Sequence, residues 1–154
     1  MKRLGLILIL TLCAMAPNLN AQAADLTVTQ GSTQRILNDH DLQTLPKTTV
    51  EVEDPVYHKH KRYTGYWLSD IFNLAGITPS PDTVWSFTAL DGYTAHIDAA
   101  DAMQAKAFIA VGDLDASNGW EMFKHGKEWI SPGPYYLVWQ TSGNTPSHNQ
   151  LPWP

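Results

Sequence analysis

The sequence contains a single cysteine, Cys13, among its 154 residues. That cysteine lies in a leading segment, residues 1–23, which has the three parts of a secretory signal peptide. The segment has a basic start, an apolar run at 4–12 and a small-residue cleavage site at 21–23. We expect it to be removed, so the mature protein has no thiol for a disulfide, a nucleophile or a metal bond. The predicted location is the periplasm or the extracellular space.

The chain has little positive charge and no second long apolar run. Its formal net charge is −5, and loss of Lys2 and Arg3 with the signal peptide takes this to about −7. The only cluster of basic residues lies at 59–62, which argues against nucleic acid as a partner. Without a second apolar stretch of about 17–25 residues, we predict no membrane span in the mature chain.

Several motifs of covalent and phosphate chemistry are also absent. No serine stands in a Gly-x-Ser-x-Gly turn, and no glycine-rich phosphate loop is present. The carboxylate pair Asp98 and Asp101 is typical of a helix start, and Asp113 and Asp115 are typical of a solvated loop. The sequence therefore contains no freestanding catalytic constellation.

What is present is a series of short alternating segments separated by turns. The patterns predict strands at 26–30, 48–53, 83–89, 93–97, 106–111 and 135–140, helices at 38–45, 68–75 and 98–104, and a long polar loop at 112–127. Many short strands with few helices predict an α+β fold, with a compact, mixed, mostly antiparallel sheet. Residues 24–140 form the predicted single domain, and 141–154 a C-terminal tail in which Trp153 is a candidate anchor.

Two local signals are the clearest in the chain. Apolar residues recur at helical spacing within 68–75, and Gly76 follows where helices commonly end in the left-handed conformation. Asp91 and Gly92 form the usual residue pair of a tight hairpin turn. We expect the helix to pack against the first strand of that hairpin and against the strand at 106–111.

The chain resembles a known family at residues 63–76, which read YTGYWLSDIFNLAG. This run is similar to the aromatic-x-G-x-x-L-x-D-L-L-x-x-A-G element of the molybdopterin-binding domain of the sulfite oxidase type. Later pieces follow in the family's order, ending with GPYYLV at 133–138, which resembles the family's Gly-Pro strand. The resemblance covers about residues 45–140 and implies a twisted mixed sheet covered by short helices.

The resemblance implies less about activity, because the family's metal ligand is missing. In catalytic members a cysteine upstream of the motif binds molybdenum, and the corresponding stretch here, 50–54, offers Glu51 and Glu53. A carboxylate is a hard ligand and does not replace a soft thiolate. We therefore predict that the protein binds no cofactor; molybdopterin is implied by the resemblance only.

Two groups of residues are candidates for contacting a cofactor-like ligand. The resemblance places the turn at Asp91 near the family's cofactor cleft, so Asp91, Tyr93 and His96 are candidate cofactor-binding residues. Strand alternation puts Tyr93 and His96 on opposite faces, and purely structural roles are the alternative. Lys61 and Arg62 are candidates for binding an anionic group of the same ligand.

His58 and His60 are candidate metal ligands. In an extended strand the two would share one face, and a same-face histidine pair is half of a zinc or copper site. A third ligand would come from another histidine, which spacing does not identify. The alternative is that this polar stretch is simply the end of a hairpin.

The aromatic residues of the long loop allow two interpretations. Trp120, Phe123, His125 and Trp129 either pack within the loop or form an aromatic wall for a flat ligand.

We therefore expect an exported, non-catalytic module that binds a small-molecule ligand or a periplasmic redox partner. One alternative is a periplasmic oxidoreductase that binds molybdopterin or another metal through ligands other than cysteine. Another is a histidine-based periplasmic metal-binding protein.

Overall fold

A computed structural model describes residues 24–141 and 151–152. The predicted signal peptide, Trp153 and most of the predicted tail lie outside the described residues. In the described part the chain forms ten strands and three short helices. Their order is β1 Leu26–Gln30, β2 Thr33–Leu37, α1 Asp39–Leu42, β3 Thr48–Asp54, β4 Lys59–Trp67, α2 Leu68–Ala75, β5 Val84–Thr88, β6 Thr94–Asp98, α3 Ala99–Gln104, β7 Ala107–Asp113, β8 Phe123–His125, β9 Glu128–Ile130 and β10 Tyr136–Trp139.

The centre of the fold is a four-stranded sheet with the order β10-β7-β4-β3. Three two-stranded hairpins, β1–β2, β5–β6 and β8–β9, surround it. The predicted strand-rich α+β class with short helices is confirmed. Every pair among the described strands is antiparallel, so the expected parallel component of the sheet is not found there. None of the described helices is long and apolar enough to cross a membrane.

Helix α2 forms where its spacing predicts and ends at Gly76, which has a φ of 69°. Ile71 and Ala75 are buried on its inner face. Phe72 is partly buried, and its ring makes an edge contact with Trp85 of β5 at a centroid distance of 4.9 Å. The predicted packing of this helix against the β5–β6 hairpin is confirmed.

The β5–β6 hairpin turns at the predicted residues. Gly92 has a φ of 90°, a conformation that glycine adopts without steric cost. The Asp91 side chain accepts a hydrogen bond from the backbone N–H of Tyr93 at 2.9 Å, which stabilises the turn.

The two faces of the central sheet have different covers. On one face, here called the helix face, Tyr66, Ile109 and Trp139 belong to a core cluster shared with α2. On the other, here called the loop face, Tyr63 and Phe108 belong to a second cluster that is covered by Trp120 of the long connection after β7. The sheet is therefore buried on both sides, by helices and hairpins on one and by a loop on the other.

The long connection after β7 is more ordered than the sequence indicates. Strand β7 extends to Asp113, and residues 123–130 form the β8–β9 hairpin, which turns at Gly126 with a φ of 61°. The prediction of an unbroken loop over 112–127 is therefore wrong. Each strand of this hairpin has only three residues, which is too short for an alternating pattern to stand out.

Candidate functional site

The two candidate metal ligands do not share a strand face. His58 lies in the turn between β3 and β4, with a φ of 53°, whereas His60 lies on β4. The turn interrupts the alternation from which the same-face pair was predicted. Among the residues that the structure describes, no group of three or more histidine, cysteine or acidic side chains is arranged to hold a metal ion.

His60 is held between two carboxylates of the neighbouring edge strand. Its Nδ1 lies 3.1 Å from Oε1 of Glu53, and its Nε2 lies 3.3 Å from Oε2 of Glu51. These hydrogen bonds, with that to Glu53 contributing most, raise the pKa of His60 because they favour the protonated imidazole.

We expect NMR titration to give His60 a pKa above its ordinary value of 6.5, and Glu53→Gln to lower it. Because the folded-state pKa is raised, these contacts stabilise the fold fully below pH 6.5 and lose that effect as pH rises through the raised pKa. Glu128→Gln, on the exposed strand β9, is the matched control. The same His60 pKa in the protein with and without Glu53→Gln would contradict the assignment.

Lys61 is fully buried on the loop face, where it lies between two carboxylates. Its Nζ is 2.6 Å from Oδ2 of Asp113 and 2.8 Å from Oε2 of Glu121. Burial lowers the pKa of Lys61, but the hydrogen bonds to Asp113 and Glu121 outweigh it and raise the pKa overall. The ammonium of this candidate anion-binding residue is thus neutralised within the chain.

A β-bulge explains how Asp113 reaches Lys61. Thr64 of β4 pairs with Gly112 and Gly65 with Ala110, which leaves Val111 of β7 without a partner in this pairing. One extra residue reverses the alternation, so Asp113 points to the loop face, as Ala110 does. Asp113 is only 6% exposed, and the prediction that it lies in a solvated loop is wrong.

A second buried carboxylate, Asp54, completes the polar cluster of the loop face. It is 1% exposed and accepts hydrogen bonds from the Tyr63 hydroxyl at 2.7 Å and the Tyr136 hydroxyl at 3.4 Å. Burial, together with the nearby Asp54 charge, raises the pKa of both tyrosines well above the usual range. Both phenols therefore stay protonated and act as donors to Asp54.

Arg62 points to the opposite face of β4 from Lys61 and has its own carboxylate. Its Nε and Nη2 lie 2.9 Å and 2.7 Å from Oδ1 of Asp115. The hydrogen bonds from Arg62 lower the pKa of Asp115. Lys61 and Arg62 are therefore paired with different acidic residues on different faces.

The other candidate cofactor residues lie on the β5–β6 hairpin. Asp91 stabilises the turn, Tyr93 is 53% exposed, and Nδ1 of His96 lies 2.8 Å from the hydroxyl of Ser86 on the neighbouring strand. In the described part of the chain, no hydrogen bond or ion pair joins these three residues to Lys61 or Arg62. The structure does not bring the two predicted groups together.

An open cleft of about 690 Å³ lies beside the connection after β7. Trp120 contributes to its wall while packing against Tyr63 and Tyr136, with centroid distances of 6.4 Å to each. Trp129 is 66% exposed and does not line this cleft. The loop aromatics therefore do not form one wall, and Trp120 combines packing with a place at the cleft.

A second cleft of about 420 Å³, here called the apolar groove, lies between α2, α3 and β5. Its walls include the rings of Trp67, Phe72 and Trp85 and the side chain of Met103. Of the described residues that line it, Lys106 alone is charged. The sequence analysis did not predict this site. Its walls come from separate segments of the chain, and each aromatic residue taken alone is typical of a buried core position.

Comparison of the chain with models of known protein families gives no match, and a search of characterised proteins finds no significant similarity.

Proposed function

We propose that the protein is an exported, non-catalytic binding module that holds a small ligand in the apolar groove. The observation that carries the proposal is the groove itself. Its volume of about 420 Å³ is in the range of small-molecule sites, and its walls are mostly aromatic and aliphatic. Met103, which lies at the groove, is 47% exposed, so apolar surface at this site is open to a ligand.

The proposal of a non-catalytic role also rests on the partners of the buried charged groups. The buried ammonium of Lys61 and the buried carboxylates of Asp54 and Asp113 are bonded to other groups of the chain. The sequence beyond residue 23 contains no cysteine. We propose that the chain is a relative of the sulfite-oxidase-type molybdopterin domain without the thiolate ligand, and the motif at 63–76 supports this.

A neutral aromatic probe tests the groove. We expect phenylnaphthylamine, whose emission rises in apolar surroundings, to bind saturably to the protein. Met103→Glu replaces an apolar wall of the groove with a hydrated carboxylate and should weaken binding about tenfold or more, because the apolar probe must then displace the water around that charge. Fluorescence titration of the two proteins measures the difference.

Leu90→Glu is the matched control, because Leu90 is 76% exposed in the β5–β6 turn and does not line the groove. An absence of saturable binding, or an equal loss in both variants, would refute the proposal. Metal analysis of protein purified from its native compartment separates the alternatives. Stoichiometric molybdenum would favour the oxidoreductase, and stoichiometric copper or zinc the metal-binding protein.

A further inference from the structure

The charge at the apolar groove comes from one residue in an unusual backbone conformation. Lys106 follows Ala105, the residue that caps the end of α3, and has a φ of 51°, a left-handed conformation in which glycine is the usual residue at the end of a helix. A non-glycine residue there carries a steric cost. Residues held in such conformations cluster at functional sites, so the position of this side chain needs an explanation.

Packing and pairing do not explain Lys106. The residue is exposed, and the structure gives its side chain no hydrogen bond or ion pair to any described residue. Its backbone carbonyl accepts a hydrogen bond from the N–H of Gln140 at 3.3 Å, a contact that glycine would also make. Among the described residues, none therefore holds the ammonium of Lys106 in place.

Lys106 does lie where a ligand in the groove would meet it. The residue lines the groove together with the rings of Trp67, Phe72 and Trp85, and the hydroxyl residue Ser69 lines the same cleft. An ammonium at the rim of an aromatic groove attracts an anion, and a hydroxyl supplies a hydrogen-bond donor. Within the part of the chain that the structure describes, no acidic residue lines this groove to neutralise the lysine.

We propose that the groove takes a flat aromatic molecule that carries an anionic group, with the anion bound at Lys106. This inference rests on the proposed function, since it assigns the chemical class of the ligand to the same groove. The aromatic body lies against the three rings, and the carboxylate, sulfonate or phosphate group of the ligand lies within reach of the ammonium.

Two probes that share one ring system test the inference. Anilinonaphthalene sulfonate carries an anionic group, and phenylnaphthylamine is its neutral counterpart. We expect Lys106→Gln to weaken binding of the sulfonate about fivefold, in line with an exposed ion pair, and to weaken binding of the neutral probe clearly less. Added salt should weaken sulfonate binding to the unmodified protein more than to the variant.

Lys127→Gln is the matched control, because Lys127 is an exposed lysine between β8 and β9 that does not line the groove. Lys106→Gly is a second variant that relieves the backbone strain. This variant should unfold at an equal or higher temperature than the unmodified protein, and its affinity for the sulfonate should fall as much as that of Lys106→Gln. If the lysine had a purely structural role, removing it would not combine these two results.

The outcomes separate the inference from the proposed function. If both probes bind and neither Lys106 variant changes the sulfonate affinity, the inference is wrong and the groove still binds a ligand. If Lys127→Gln has the same effect as Lys106→Gln, the effect is one of net charge and the inference is wrong. If neither probe binds, the proposed function and the inference fail together.

Discussion

Lys61→Met should lower the free energy of unfolding by about 3–5 kcal/mol, because it removes the cation from a buried ion pair and leaves its carboxylates behind. The side chains of Lys61 and Asp113 are both 0% exposed and lie 2.6 Å apart. Methionine matches the length of lysine, so the loss reports the charge rather than a cavity. Urea unfolding followed by tryptophan fluorescence measures it.

Lys59→Met provides the control for this prediction. Lys59 also donates to Glu121, at 2.7 Å, but its side chain is 49% exposed. An exposed ion pair contributes at most about 1 kcal/mol, so the control should lose less than that. Similar small losses in both variants would mean that Lys61 is not enclosed with its carboxylates in solution.

Gly65→Ala should destabilise the protein by about 3 kcal/mol or more, since the added methyl group has no space. It would overlap the carbonyl oxygen of Ile109 and lie 2.8 Å from the Cα of Ala110. Both neighbours are backbone atoms of β7, so relief requires the two central strands to move apart. Thermal and urea unfolding of the variant measure the loss.

Gly112→Ala is the matched control on the other strand of the same bulge. Of the described atoms, a methyl group there would meet Cγ2 of Thr64 alone, at 3.1 Å, and that side chain can adjust. We expect a loss below about 1 kcal/mol for this substitution. If Gly65→Ala costs no more than Gly112→Ala, the close approach of β4 and β7 at Gly65 does not hold.

The sequence predicts those elements whose signals are local. Helix α2 and its end at Gly76 follow from apolar spacing and one left-handed residue. The β5–β6 hairpin follows from Asp91 and Gly92, two adjacent turn residues. In each case the residues that determine the structure are close neighbours in the chain, so a short window contains the whole signal.

The buried polar cluster could not be predicted in this way. Lys61 stands in a run of basic residues, a pattern that predicts the solvent-exposed end of a hairpin. Its partner Asp113 is 52 residues away along the chain. The bulge at Val111 directs Asp113 inward, and no local pattern indicates it. The left-handed turn at His58 similarly broke the alternation on which the predicted metal pair depended.

The apolar groove could not be predicted for the same reason: its residues are far apart in the sequence. Phe72, Trp85 and Met103 come from α2, β5 and α3, and their apolar character is equally consistent with a closed core. What distinguishes the groove is the space left between these elements, which depends on how they pack. The left-handed backbone at Lys106 could not be predicted either, because a left-handed conformation is predicted from glycine and this position has lysine.

The antiparallel order of the central sheet also bears on how fast the chain folds. Most strand pairs join neighbours along the chain, whereas β4 and β7 meet across about 50 residues, as in the pairing of Tyr63 with Asp113. Closing a long loop costs entropy before its contacts form, so we expect the hairpins to form before β4 pairs with β7. Gly65 and the Lys61–Asp113 pair both lie where β4 and β7 meet. Their contacts can therefore form only once the two halves of the chain have come together.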